Sequence, residues 1–173
     1  MNTTRIIEEN QLRIYKKRYP VEVNLELTAH EAREEAEITS WSPAMDKFEI
    51  KGEGIQEFNL ALFRPKFDFL SFDDILEETE RRNIQFARAE HLFAFIEQYH
   101  QIAVSMTKKG KCKILAPGTT WLDSHECLTE VLCVEWDPFY HSPGLLVSFE
   151  DDLNQVGMDS SAYNPSHLFL AIA

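Results

Sequence analysis

Residues 71–101 read SFDDILEETERRNIQFARAEHLFAFIEQYHQ, and this stretch predicts two consecutive helices. Ser71 followed by Asp74 is typical of the hydrogen-bonded box that opens a helix, and the acidic first turn and late arginines complement the helix dipole. Asn83 tolerates the left-handed conformation that ends many helices. In the second half, apolar residues recur at helical spacing. The sequence therefore predicts a helix pair over residues 72–82 and 89–101.

The regions on either side of the helix pair have mostly strand character. Short apolar or alternating runs, separated by turn-forming prolines and glycines, cover residues 112–116, 128–136, 145–149 and 168–172. Upstream, strict apolar–polar alternation over residues 21–27 predicts another strand. Residues 5–19 are predicted instead to form an amphipathic helix that ends at Pro20. Thr28 with Glu31 three residues later is a capping box, which predicts a helix in the residues that follow.

These elements predict an α+β fold in which a mostly antiparallel sheet is covered on one face by the helix pair. A chain of 173 residues fits one domain and is long enough to bury a core. We therefore expect a single domain over residues 1–173. Residues 1–70 either join that core or form a separate N-terminal lobe, and the sequence leaves both arrangements open.

The charge of the chain is strongly negative, with a formal net charge of −12. No Lys or Arg follows Lys113, although acidic residues continue to Asp159. Such a surface repels the phosphates of nucleic acid and attracts basic molecules. We expect a basic protein as partner and no nucleic acid. The alternative interpretation is that the charge serves solubility alone.

The sequence also bears on cellular location. No apolar run approaches the length of a membrane span, and the first residues lack the apolar core of a signal peptide. The odd number of cysteines (Cys112, Cys127 and Cys133) favours reduced thiols over a disulfide framework. We expect a cytoplasmic protein that contacts no membrane. The oligomeric state is left open.

From Ser71 onward the order of features resembles that of a loosely defined group of short, uncharacterised bacterial and phage-borne proteins. The matching parts are the capped helix of 71–82, the helix start of 87–95, the Ala-Pro-Gly-Thr-Thr-Trp segment of 116–121 and the Phe-Leu-Ala core of 169–171. Asn83 stands where the group has Gly, and the group's basic residues near the end are missing. The resemblance implies an accessory or mobile-element origin and no particular reaction.

An interaction surface is the function that we predict from the last third of the chain. Aromatic residues concentrate in this acidic region, and Trp and Tyr are the residues that anchor protein interfaces most often. We expect a non-enzymatic interaction or inhibitor protein, of the immunity-protein or phage-accessory type, that binds a basic partner without a cofactor. The predicted binding residues are Trp121, Trp136, Tyr140, Glu135, Asp137, Glu150, Asp151 and Asp152.

The alternative function is a small metal-binding protein or enzyme. Asp123, His125 and Cys127 would share one face of an extended segment, and these residue types bind metals or supply a nucleophile with its base. Their spacing lacks the paired cysteines of structural zinc sites. The chain also lacks a glycine-rich phosphate loop, a Gly-x-Ser-x-Gly motif and a His-Glu-x-x-His motif.

Overall fold

A computed structural model describes residues 12–38, 40–41, 48–65, 72–108, 112–123, 128–136, 145–151 and 167–173. In chain order these residues form β1 (Leu12–Asn24), α1 (Ala29–Glu35), β2 (Ser40–Trp41), β3 (Ile55–Pro65), α2 (Phe72–Arg81), β4 (Gln85–Phe86), α3 (Ala89–Gln98), α4 (His100–Thr107), β5 (Lys113–Asp123), β6 (Leu128–Trp136), β7 (Leu145–Asp151) and β8 (His167–Ile172). The strands form one sheet in the order β1-β3-β8-β5-β6-β7-β2, and β4 also pairs with β8. Neighbouring strands are antiparallel except for β5 with β8 and β2 with β7.

The central strands of this sheet are buried on both faces. In β8, Leu168 and Leu170 belong to a large apolar cluster with α1, α3 and α4. Phe169 and Ala171 point the other way and join a smaller cluster with Ile75 of α2. The same alternation continues through β5 and β6. Burial on both faces explains why these strands are almost continuously apolar in sequence.

The predicted α+β class with a mostly antiparallel sheet is confirmed. The predicted helix pair, however, does not share one face, because α3 packs in the larger cluster and α2 in the smaller one. Asn83, with φ of 53°, ends α2, and the chain then enters β4 before α3 begins. Because β4 is itself part of the sheet, the chain passes from one face to the other between the two helices.

The segment predicted as an N-terminal helix is a strand where the structure describes it. β1 runs through Pro20 and pairs with β3 from Leu12 to Asn24. Pro20 is tolerated because β1 is an edge strand of the described sheet, so the missing N–H breaks no bond between the described strands. The helix prediction failed because pairing with β3 outweighs the local helical spacing of a few apolar residues. Residues 5–11 lie outside the described part of the chain.

Side chains from the end of α3 cover part of the free edge of β1. The Gln98 side chain accepts from the Glu22 backbone N–H at 3.0 Å and donates to the Glu22 carbonyl at 2.7 Å. The Tyr99 hydroxyl donates to the Pro20 carbonyl at 2.9 Å. These contacts occupy the backbone groups through which an edge strand recruits another strand.

Gln98→Ala is expected to make the protein self-associate, because it frees both edge groups of Glu22. The cost in folding stability is expected to be only about 1 kcal/mol, since water replaces the lost hydrogen bonds. Light scattering over a range of concentrations measures the effect. The control is Gln101→Ala, an exposed glutamine on α4. Equal association of the two variants would contradict the edge-covering role.

Candidate functional site

A cleft of about 360 Å³ opens between β1, α1 and α3. Its apolar lining consists of Val23, Leu27, Ala32, Ile50, Ile55, Phe93 and Ala94. Four carboxylates also line it, those of Glu22, Glu35, Glu90 and Glu97. None of the described lining residues is Lys or Arg. The volume lies near the lower end of ligand-binding clefts, about 300 Å³, so it suits a side chain better than a large ligand.

Two of the carboxylates come from different helices and repel each other. The pKa of Glu97 on α3 is raised above the usual 4.5, first by partial burial and then by the charge of Glu35 on α1. A hydrogen bond with the Gln98 side chain offsets part of this effect. Within the described chain, neither Glu35 nor Glu97 forms an ion pair with a cation. The cleft therefore holds negative charge that this part of the protein does not neutralise.

Glu90 is the most deeply buried of the four carboxylates, with 4% of its surface exposed. Its Oε1 lies 3.1 Å from Nε of Arg88. Burial raises the pKa of Glu90, while a hydrogen bond from its own backbone and the charge of Arg88 act in the opposite direction. Arg88 thus compensates only part of the cost of placing a charge here.

The start of α3 fixes the position of Glu90. The backbone N–H of Arg88 donates to Nδ1 of His91 at 3.1 Å, and the N–H of Ala89 donates to Oγ1 of Thr119 at 2.8 Å. These acceptors satisfy N–H groups that have no partner within a helix. Glu90 follows immediately in the first turn, so its carboxylate is held by a helix end that is anchored from β5.

The chemistry that the cleft offers is negative charge beside apolar surface. None of its described lining residues is Ser, Thr, Cys, His or Lys, so the ionisable side chains of the lining are the four carboxylates. Among the residues with described structure, no three His, Cys, Asp or Glu side chains are grouped closely enough to hold a metal ion. Cys112 lies elsewhere and donates to the Met106 carbonyl at 2.9 Å, and burial raises the pKa of its thiol to about 11. The arrangement is suited to binding an organic cation.

The two tryptophans of the predicted interaction surface occupy distant strand positions. Trp121 in β5 lies opposite Glu130 of β6, and Glu130 lies opposite Asp151 of β7. Trp136 is at the far end of β6, about 20 Å from Glu130 along the strand. The sheet register therefore separates the two tryptophans.

The remaining predicted binding residues divide between described and undescribed parts of the chain. Glu150 lies in β7 opposite Val131. Glu135 is half-buried and pairs with Lys113, with Nζ and Oε2 3.4 Å apart. Asp137, Tyr140 and Asp152 lie outside the described residues. The role of this surface stays a prediction.

Of the three residues of the alternative metal or catalytic cluster (Asp123, His125 and Cys127), the structure describes only Asp123. Asp123 ends β5, where it lies opposite Leu128. His125 and Cys127 fall in residues 124–127, outside the described chain. This cluster likewise stays a prediction.

The cleft carboxylates were missed by the sequence analysis. Glu22, Glu35, Glu90 and Glu97 are far apart in the chain and belong to no motif. The strict alternation of 21–27 assigned Glu22 to a polar strand face, and helical periodicity assigned Glu97 to a polar helix face. Only the packing of α3 on β1 and α1 brings them together.

Comparison of the chain with protein-family models, with curated protein sequences and with solved structures gives no significant match. The helices in the described part of the chain are all too short or too polar to cross a membrane.

Proposed function

We propose that this chain is a non-enzymatic binding protein whose cleft takes up a lysine or arginine side chain of a basic protein partner. The observation that carries the proposal is the pair of carboxylates, Glu35 and Glu97, that face one cleft from two helices without a described cation between them. The protein would act as an interaction or inhibitor protein, with the charged side chain as the anchor of the complex.

The shape of the cleft supports a long cationic side chain. Lys and Arg bury their methylene stems along apolar surface while the charged end stays at polar groups. Phe93 and Ala94 offer such a surface on α3, and Glu35 and Glu97 offer the charged ends. A cation between these two carboxylates would replace their repulsion by attraction.

The charge of the whole chain supports a basic partner as well. A net charge of −12 attracts basic proteins and raises their rate of association. The cleft would then supply the specific contact, because negative potential alone does not fix the orientation of a partner.

The double variant Glu35→Gln/Glu97→Gln is expected to weaken binding of a cationic peptide about ten-fold, which corresponds to about 1.4 kcal/mol. The probe is a fluorescein-labelled glycine–serine peptide with interspersed lysines, and its fluorescence anisotropy gives the Kd. Raising the salt from 0.1 M to 1 M shortens the Debye length from about 10 Å to about 3 Å, so binding is expected to weaken with salt. The same peptide with acetylated lysines is expected not to bind.

The matched control is Glu53→Gln/Glu80→Gln, which removes the same charge from exposed positions outside the cleft. This control should bind the peptide nearly as tightly as the wild type. Equal weakening in the two double variants would mean that bulk charge, and not the cleft, attracts the peptide. No weakening in the cleft variant would reject the proposal.

The pH dependence of the same titration gives a second readout. Because Glu90 and Glu97 have raised pKa values, each is partly protonated at a pH where an ordinary glutamate is ionised. The cation binds the ionised form, so affinity is expected to rise as the pH increases from 4.5 and then to level off. In the Glu35→Gln/Glu97→Gln variant this rise should be smaller.

A further inference from the structure

The first half of β1 carries exposed basic side chains, in contrast to the acidic protein around it. Residues 12–20 contain four cations and no acidic residue. The cations are Arg13, Lys16, Lys17 and Arg18, and all four are exposed. Arg64 of the neighbouring strand β3 adds a fifth. We call Arg13, Tyr15, Lys16, Lys17, Arg18 and Arg64 the basic patch.

Two arginines of the basic patch face each other across the strand pair. Arg13 and Arg64 are direct partners in the register of β1 and β3. Like charges at directly opposed positions destabilise a sheet, since the Cβ atoms are only about 5 Å apart. No described carboxylate pairs with either arginine. The sheet therefore retains an unfavourable pair of charges at this position.

The ring of Tyr15 contacts the guanidinium groups of both Arg13 and Arg64 but does not neutralise their charge. The Cζ atoms of Arg13 and Arg64 lie 5.6 Å and 5.9 Å from the centre of this ring. Cation–π contacts at exposed sites are weak, and they leave the positive charge of each guanidinium group in place. The two arginines are thereby held close to one another, and within the described chain no carboxylate occupies their hydrogen-bond donors.

An irregularity in β1 places Tyr15 at this position. The register between β1 and β3 shifts between Ile14 and Arg18. The Arg18 side chain donates to the Tyr15 carbonyl at 3.0 Å and so holds the bulged segment. Lys17 lies over the Tyr19 ring, with Nζ 5.0 Å from its centre. The bulge thus concentrates cations at one end of the strand pair.

We propose that the basic patch binds a phosphate monoester group, held between Arg13 and Arg64. Guanidinium groups donate two parallel hydrogen bonds to phosphate oxygens, and two arginines match the charge of a phosphate dianion. Without a ligand, the repulsion between the two arginines destabilises the sheet. A bound phosphate removes this repulsion, and the relief adds to the free energy of binding. A carboxylate carries half that charge and would leave one arginine uncompensated.

The observations favour a compact phosphate over a nucleic acid. The net charge of −12 repels a long polyanion, whereas a single phosphate group meets only the local field of the patch. Single-stranded nucleic acid also binds by stacking bases on exposed aromatic rings. Here the Tyr15 ring is already in contact with two guanidinium groups and is half-buried.

The test is a titration of the full chain with phenyl phosphate and with inorganic phosphate at constant ionic strength, followed by amide chemical shifts in NMR spectra. We expect a Kd of about 1 mM, with the shifts concentrated in β1 and the facing part of β3. Arg13→Gln and Arg64→Gln should each weaken binding about ten-fold, because each removes half of the clamp. Lys108→Gln, an exposed cation at the end of α4, is the control and should bind as the wild type does.

Thermal unfolding of the same variants separates a binding role from a structural one. Since the opposed arginines repel each other, Arg13→Gln is expected to keep or raise the Tm while it weakens phosphate binding about ten-fold. A fall in Tm together with unchanged binding would overturn the proposal.

Three further outcomes would also overturn the proposal. One is equal weakening in Lys108→Gln, which would mean that bulk charge causes the binding. Another is a preference for a different class of ligand, shown either by equal affinity for acetate or by tighter binding of a thymidine oligonucleotide. The third is association of the chain with itself at increasing concentration without any phosphate binding.

Discussion

Acidification from pH 7 to pH 4 is expected to lower the free energy of unfolding through His91 by about 3 kcal/mol. His91 lies at the start of α3 with 4% of its surface exposed. Burial, and then the charge of Arg88, lowers the pKa of His91 from 6.5 to about 4. In the unfolded chain the imidazole takes up its proton near pH 6.5, whereas in the folded protein it stays neutral until about pH 4. Protonation therefore favours the unfolded state throughout this interval.

The geometry around His91 explains why the charged form is so unfavourable. Nδ1 accepts the hydrogen bond of the Arg88 N–H at 3.1 Å, and a proton on that nitrogen would remove the acceptor. The Phe58 ring packs edge-on against the imidazole, with the ring centres 4.5 Å apart. Oε1 of Glu90 lies 4.0 Å from Nδ1, but a neutral imidazole forms no ion pair with it. Protonation would thus break the helix start and bury a charge against an aromatic ring.

His91→Gln tests this prediction, because glutamine at the same helix position also reaches back to the backbone N–H but does not titrate. The measurement is urea unfolding of both proteins between pH 7 and pH 4. The difference between their free energies of unfolding should change by about 3 kcal/mol over this range. The matched control, His100→Gln, removes a histidine from α4 and should retain the acid sensitivity assigned to His91. If wild type and His91→Gln lose stability in parallel, another group is responsible.

Gly118→Ala is expected to cost about 3 kcal/mol, the upper end of the usual effect of overpacking. A Cβ at this position would lie 2.7 Å from the Ala87 carbonyl oxygen and 2.9 Å from that of Phe86. Both are backbone atoms and cannot move aside as the end of a side chain can. The Gly118 N–H also donates to the Ala87 carbonyl at 2.9 Å, so any displacement of the strands weakens this bond.

Two further variants serve as comparisons for Gly118→Ala. Chemical denaturation gives the free energy of unfolding of all three variants. Gly54→Ala has open space around its Cβ and a φ of 68°, so it should lose only about 1 kcal/mol from backbone strain. Thr119→Ala removes the acceptor for the Ala89 N–H and should also lose about 1 kcal/mol. If Gly118→Ala lowers the free energy of unfolding no more than Gly54→Ala does, then β5 moves away easily from the backbone of Phe86 and Ala87.

Local signals in the sequence predicted several elements correctly. The capping box of Thr28 and Glu31 opens α1, with the Glu31 N–H 3.2 Å from Oγ1 of Thr28. Asn83 has the left-handed conformation expected at the end of α2. The strand predicted over 128–136 is β6 (Leu128–Trp136). In each case the determining interactions lie within a few residues, so a sequence pattern is sufficient.

Features that depend on distant contacts were not predictable in the same way. Pro117 and Gly118 indicated a turn, yet they lie within β5 at a shift of register between Ala116 and Thr120. At this register shift the backbone of Phe86 and Ala87, which comes from another part of the chain, lies close against Gly118. The acidic cleft and the opposed arginines of β1 and β3 likewise depend on pairing between segments far apart in sequence. Residue type alone gives no signal for such juxtapositions.

The position of β8 in the sheet has a consequence for the synthesis of the protein. β8 lies between β3 and β5, so the strands made before it, apart from the short β4 that pairs with β8 itself, fall into two groups with no strand pairing between them in the described sheet. A nascent chain that has not yet reached residues 167–172 leaves the inner edges of β3 and β5 unpaired, and open apolar edges promote aggregation. A chain whose synthesis stalls before β8 should therefore depend on chaperones to avoid aggregation. Once β8 emerges from the ribosome, it should join the two groups of strands late and cooperatively.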